Sequence, residues 1–510
     1  MKNIFETIER NPVPVVIGLL FFHIIFAGLV SWIAHSPYLI HLHDMALDEV
    51  YFPGSEHFWN FARDSIVFHL EAIDLVDAIN SGAWGDWWSS SYGERQVTHA
   101  HVKWIALVYW LFGEENPFYF ELINSVTWVA SVVLIYLSAR ILFSQNVMVA
   151  CFATSYLFFP SIILSSTQLL RDPFYVLGIC GMIFGWVAIF NKDLKWKGAL
   201  AIIISFLLLI SIREYITPLL WSTFFICTVI FLLMRSIDGL PGLIMLMGIS
   251  IISYQEGFLK VPAVNFVDNN SSIDETKAKE RPKDNKAKES TQSFLGFAQE
   301  MWKVAGDDSM TEGFNKLREF KNEGPVLGMA LSKFVLLEPI KYDGALGYIS
   351  YLNKKLAIRL SLVRFGFRME NRYANSILDP NAQFMNIREL IAYLPRALQI
   401  GFLSPFPNLW VSRGTETGNL GRMMAGLETL VVYVVLIGFV AVLFMEIQIL
   451  KSIAPILVFS GIIIILLGYA VPNVGAIYRM RQGFIIPFFM LGVFGLNLIF
   501  IKLKSKMSKN

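Results

Sequence analysis

Charge is what this sequence has least of. Only 16% of its 510 residues are Asp, Glu, Lys or Arg, whereas a soluble chain carries about a quarter. That shortage excludes an ordinary soluble domain. The net charge of +2 supplies no basic excess for a nucleic-acid partner. Cysteine is scarce too. Cys151, Cys180 and Cys227 are odd in number, none forms a CxxC pair, and all lie in apolar runs. They read as small packing residues, and a disulfide framework is excluded. No small-residue cleavage site follows Val13–Ala34, so this run is expected to be a retained first helix and not a cleaved signal. Alternating hydrophobicity is missing as well, which excludes a membrane β-barrel. There is no internal repeat, which weakens an inverted-repeat transporter.

What is present is apolar and continuous. Hydrophobic residues make up 55% of the chain. The expected fold class is an all-α polytopic membrane protein with about ten transmembrane helices. They are placed near 13–34, 118–139, 146–165, 173–190, 197–212, 216–234, 239–254, 423–446, 452–470 and 483–501. The run "HVKWIALVYWLFG" (101–113) is too short to cross, and either lies along the interface or extends the second span. Lys and Arg in short connections set orientation. "MKNIFETIER", "NKDLKWK" and the tail "KLKSKMSKN" are basic, whereas residues 35–100 hold ten acidic residues against Arg63 and Arg95. Both termini are therefore expected in the cytoplasm, in a bacterial inner membrane.

Three units follow: an N-terminal transmembrane module (1–254) with the acidic outside loop 35–100, a large outside segment (255–421), and a C-terminal module with its basic tail (422–510). Within 255–421, residues 268–293 are polar and expected to be disordered. An interfacial amphipathic helix is expected near 387–404, ended by Pro405 and Pro407.

Once the spans are drawn, the ionisable groups gather on one side. "HDMALDE" brings Asp44, Asp48 and Glu49 there, "LLRDPF" brings Arg171 and Asp172, "SIREYITP" brings Arg213 and Glu214, and "YRMRQGF" brings Arg479 and Arg481. Charges beside a bilayer have a reason. The plain one is snorkelling and mutual pairing, and Asp48 and Glu49 also suit an N-cap. The chemical one is a sugar carried on a polyprenyl phosphate. Arginine grips phosphate through a planar fork, a carboxylate deprotonates an incoming hydroxyl, and cations stabilise the departing phosphate. His23, alone among the spans, reads as a packing residue.

Several stretches then match a known pattern. "ALDEVYF" sits in the first outside loop. "THAHVKWIALVYWLFGEENPFYFELINSVTWVASVVLIYLSARILF", "FPSIILSSTQLLRDPFYVLG" and "YRMRQGFIIPFFMLG" follow in order. In these the chain resembles the GT-C superfamily of polytopic glycosyltransferases, in the branch of protein O-mannosyltransferases and the lipid A aminoarabinose transferase (glycosyltransferase family 39). The resemblance covers residues 10–235, and 455–500 in outline, and departs over 255–421. It implies a GT-C-like fold and sugar transfer from a polyprenyl-phosphate donor to an acceptor, which the sequence leaves open among protein, lipid and glycan. It implies Asp48 as catalytic base assisted by Glu49 or Asp44. Arg479, Arg481 and Arg171 would hold the donor phosphate. His99, His101 and Lys103 would line the cavity, with Asp172, Arg213 and Glu214. No cofactor is required by such a donor.

Two other functions compete. An O-antigen-type polymerase or ligase would use the row Arg359, Arg364, Arg368 and Arg372, whose last three members share a helix face. A flippase or transporter would need polar groups along the spans, and these are few. Seven of eight histidines lie between His35 and His101. The pairs His41-x-His43 and His99-x-His101, with Asp44, have a spacing that suits a divalent cation, but nothing in the sequence brings the pairs together, and no metal is assigned.

Overall fold

The structure is a computed structural model. It describes residues 11–35, 62, 64–89, 91–92, 95–96, 100–143, 146–213, 216–255, 376–384, 386–411 and 418–508, with scattered positions between 356 and 368. The helices are α1 (Pro12–His35), α2 (Asp64–Asn80), α3 (Trp84–Ser89), α4 (Ala100–Phe112), α5 (Pro117–Leu142), α6 (Val147–Ala153), α7 (Pro160–Ser166), α8 (Asp172–Ile189) and α9 (Lys195–Ile212). They continue with α10 (Thr217–Leu233), α11 (Gly239–Gln255), α12 (Ile387–Leu403), α13 (Gly418–Met445), α14 (Ala454–Ala470), α15 (Val474–Met480) and α16 (Gln482–Met507). One two-residue strand pair, Ser91–Tyr92 with Arg95–Gln96, is the sole sheet among the described residues.

Among the described residues, seven helices are long and apolar enough to cross a bilayer: Pro12–Ile33, Pro117–Leu142, Asp172–Ile189, Lys195–Ile212, Asn419–Met445, Ile447–Ala470 and Gln482–Met507. The chain is an all-α membrane protein. Every one of the ten expected spans falls on helix, but three are not simple crossings. Residues 146–165 form two pieces, Val147–Phe158 and Pro160–Ser166, bent by 62°. The bend has a local cause. Pro160 has no N–H to continue the ladder, and it holds Phe159 extended at ψ 133°. Thr217–Leu233 and Gly239–Gln255 are shorter apolar helices. The run near 101–113 is a separate helix, α4, and does not extend α5. Gly113 ends it at φ 70°, a left-handed position that suits glycine.

Short polar signals start the helices. Asn116 caps α5, its side chain accepting from Phe118 N at 2.9 Å, with Pro117 at the first position. Asn386 caps α12 by accepting from Glu389 N (3.1 Å) and donating to Glu389 Oε1 (2.8 Å).

The core joins α5, α8, α9, α14 and α16. Where helices pass closest, glycine is required. At the α13–α16 crossing a Cβ on Gly438 would run into the carbonyl of Gly492, and one on Gly495 into the carbonyl of Gly438. Small residues let backbones meet and gain dispersion contacts that lipid cannot replace. A second layer, α2 and α4, buries Phe68, Leu75, Ile105 and Tyr109 against Leu169 and Leu170 just ahead of α8.

α12 has the amphipathic character expected near 387–404. Leu390, Ala397, Ile400 and Gly401 are buried, and it packs against α14. Ile391 and Leu398 stay exposed. Its anchor is Asp379, at φ 45°, a left-handed position where aspartate is favoured over most residues. Arg396 grips the Asp379 carboxylate with Nε (2.8 Å) and Nη2 (3.0 Å), and Tyr393 donates to it at 2.7 Å. Residues 256–355, including the stretch 268–293, lie outside the described residues.

Two predictions follow from this packing. Gly438→Leu must part α13 from α16 and destabilise the protein by about 1–3 kcal/mol or more. Gly461→Ala, which meets only a side-chain atom of Phe488 at 3.6 Å, should not destabilise it. Thermal unfolding in one detergent compares the two. The second prediction concerns acid. The Arg396 hydrogen bonds hold Asp379 below the ordinary carboxylate range, with burial opposing. A depressed carboxylate contributes stability above its unfolded value of about 4, and that stability is lost as pH falls through its lower native value. Hydrogen-exchange protection over 376–384, taken relative to the intrinsic rate at each pH, should therefore fall on acidification in the wild type and lose that dependence in Asp379→Asn.

Candidate functional site

α8 and α9 run antiparallel through a short turn, so the start of α8 and the end of α9 share one end of the bundle. Asp172 opens α8, followed by Pro173, and Arg213 follows the last residue of α9. Arg213 Nη2 donates to Asp172 Oδ1 at 3.0 Å. The Arg213 guanidinium also stacks 4.2 Å above the Tyr175 ring. Arg479, from the last turn of α15, places Nε 3.1 Å from Asp172 Oδ2. Its Nη2 donates to Oδ2 of Asp64, the first residue of α2, at 2.5 Å.

These side chains form a line of alternating charge from core to surface. Arg213 and Asp172 are 3% and 5% exposed, Arg479 29% and Asp64 49%. Burial acts to lower the Arg479 proton affinity, but the carboxylates of Asp172 and Asp64 outweigh it and push Arg479 above its ordinary range. Arg171, adjacent in sequence, adds a third positive charge beside Asp172. Among the described residues, three guanidiniums thus gather about two carboxylates.

Three of the four expected charge segments therefore meet: Arg171 with Asp172, Arg213, and Arg479. Asp44, Asp48, Glu49, His99 and Glu214 lie outside the described residues. Asp64 represents the first loop in the cluster, and the sequence reading passed over it. Its signal was its place at the start of an amphipathic helix.

The Arg-x-Arg motif divides. The chain breaks between α15 and α16 at Arg481, so the two side chains leave in different directions. Arg481 is buried and donates to Gly401 O at 2.8 Å. Burial lowers its proton affinity, and no described carboxylate lies within ion-pair distance of it. It stacks on Tyr478 at 5.5 Å, which donates to Glu428. Glu428 also accepts from Ser161 N at 2.8 Å, where Pro160 has freed the first amides of α7. Glu428 and Glu121 are single acids inside apolar runs. A reading that looked for charge at span ends missed both, although a lone carboxylate in a span is itself a signal.

The remaining expected residues have local roles. His101 is buried between α2 and α4 with its ring edge-on to Phe68 at 4.5 Å. Lys103 donates to Trp88 O at 2.6 Å. Arg364, from the competing arginine row, is buried and holds the carbonyls of Tyr469 (2.9 Å) and Leu378 (2.7 Å). Arg368 donates to Pro380 O at 2.8 Å. Arg359 and Arg372 lie outside the described residues. His23 is buried between Ser125 Oγ (2.9 Å) and Ser166 Oγ (2.6 Å). Among the described residues no three His, Cys, Asp or Glu side chains are placed to share a metal ion. His41 and His43 are outside them.

No protein family, curated protein or solved structure matches this chain.

Asp172 pairs with two guanidiniums, and that of Arg213 is 3% exposed. Asp172→Asn should destabilise the protein by about 3–5 kcal/mol, because it breaks a buried ion pair by removing one partner. Asp64→Asn, at the half-exposed end, should change stability by no more than about 1 kcal/mol. Thermal unfolding of the full chain in one detergent distinguishes them, and equal effects would contradict the graded burial.

Proposed function

We propose that this protein is a membrane glycosyltransferase that moves a sugar from a polyprenyl-phosphate carrier to an acceptor hydroxyl at the outer face of the membrane. The observation that carries the reading is the convergence of Arg171, Arg213 and Arg479 on Asp172 at one end of the bundle. An anion suits such a place. A phosphate on an isoprenoid tail suits it further, because the tail can lie along the apolar faces of the spans.

In this reading Asp172 is a positioning residue. It fixes Arg213 through a buried ion pair and turns Arg479 so that its outer nitrogen faces the half-exposed side. A donor phosphate displaces Asp64 from Arg479, exchanging one anion for another on a preformed fork. Arg171 and Arg481 add positive potential. Asp48, assisted by Glu49 or Asp44, takes the proton of the acceptor hydroxyl. The hydroxyl oxygen bonds to the anomeric carbon from the face opposite the phosphate, the carbon–phosphate oxygen bond breaks, and the anomeric configuration inverts. The charge arriving on the lipid phosphate is stabilised by guanidiniums already in position. His99 and Glu214 belong to the cavity wall, while His101 and Lys103 support it from the α2–α4 layer. The arginine end is the periplasmic one in a bacterial inner membrane, with both termini in the cytoplasm.

The test uses the purified full chain and a radiolabelled short-chain polyprenyl-phosphate sugar. Asp48→Asn should keep donor binding and lose transfer by about a hundredfold or more. Arg479→Lys, which keeps the charge but not the fork, should weaken donor binding. Unchanged turnover in Asp48→Asn removes it from the mechanism. Unchanged affinity in Arg479→Lys removes the phosphate role of that residue.

A further inference from the structure

A second polar site lies at the same end of the bundle, away from the arginines. A small cavity opens between α1, the start of α5 and the connection from α7 to α8. Ala27, Ser31, Phe118, Glu121, Thr167 and Gln168 line it, and its volume is about 20 Å³, room for one water-sized occupant. Glu121, Asn124 and Gln168 are all more than nine-tenths buried.

The hydrogen bonds here leave buried acceptors over. Asn124 Nδ2 donates to Gln168 O at 3.0 Å and to Glu121 Oε2 at 3.3 Å. Two acceptors on that nitrogen fix the orientation of the amide, and Asn124 Oδ1 is left buried without a partner. Gln168 Nε2 donates to Thr167 O at 2.9 Å, and Gln168 Oε1 is likewise buried without a partner. The Thr167 hydroxyl donates to Leu164 O at 2.9 Å, so toward the cavity it can only accept. No described cation lies within ion-pair distance of Glu121. A buried carboxylate without a counter-charge is strongly disfavoured, and unpartnered amide oxygens beside it add to the penalty.

We propose that Glu121 and Gln168 bind one dehydrated monovalent cation of the sodium class, with Thr167 Oγ1 beside it. The buried atoms left without a partner here are amide oxygens, and oxygen suits a hard cation. One carboxylate balances one positive charge, so a divalent ion would remain half-neutralised, and it would demand more oxygens than are grouped here. An organic ammonium does not fit the volume. The ion fastens α5 to the connection that leads into Arg171 and Asp172. The site is independent of sugar transfer, and its test does not use that activity.

The experiment is thermal unfolding of the full chain at pH 8 and constant ionic strength, with sodium chloride replacing choline chloride, together with direct binding of radioactive sodium to the wild type. The expected result is a saturable rise in Tm with sodium, absent in Glu121→Gln and reduced in Gln168→Leu, and about one sodium bound per chain. A wild-type Tm that ignores sodium, or a rise that survives in Glu121→Gln, overturns the proposal. So does an infrared carboxylic-acid band in the wild type that is lost in Glu121→Gln and unmoved by sodium, because a proton then holds the place. Should Glu121→Gln fail to fold, Gln168→Leu and the direct binding measurement decide the matter.

Discussion

The buried pairing of Asp172 with Arg213 is the constraint around which this end of the molecule is organised. Two charges at 3.0 Å, both nearly sealed from solvent, tolerate little displacement, because separating them gives up an attraction that offsets their desolvation. The pair locks the start of α8 to the end of α9. Arg479 then joins from α15, and Asp64 brings in α2 from the first loop. One carboxylate thus ties together four parts of the sequence, from residue 64 to residue 479. The α2–α4 layer is seated on the same point through Leu169 and Leu170, which precede Arg171.

The remainder of the bundle supplies rigidity. Close crossings at Gly438, Gly492 and Gly495 leave no room for α13 and α16 to slide. α12 is held to α14 through Arg364, Asp379, Tyr393 and Arg396, so residues flanking the large central segment are anchored beside Arg481 through Gly401. Charged residues of this central part engage backbone carbonyls and one another. That use of Arg364 and Arg368 favours a structural role for them over one in binding a diphosphate.

Much of this was legible in the sequence for simple reasons. Continuous apolar runs can bury their backbone only as helix, and each expected span lies on one. Asn116, Asn386, Pro117 and Pro173 announce helix starts in the ordinary way. Clusters of charge beside apolar runs were expected to share one side, and Asp172, Arg213 and Arg479 do meet. What was not legible depends on three-dimensional direction. Arg479 and Arg481 looked equivalent, but the break at Arg481 sends one to an ion-pair cluster and the other toward Tyr478. Residues 146–165 read as one span because hydropathy does not register a bend, although Pro160 marked it. Glu121 and Glu428 were overlooked because a single acid hardly alters the mean of a long apolar run.

The central claim is that the Asp172-centred arginines receive a lipid phosphate. The most direct test is an electron cryomicroscopy structure of the full chain in a lipid disc with a polyprenyl phosphate added. The account predicts the phosphate bonded to Arg479, with Arg213 still paired to Asp172, and Asp48 on the side where an acceptor would enter. A phosphate seated instead against the Arg359–Arg372 stretch, with the Asp64–Arg479 pair intact, would contradict it.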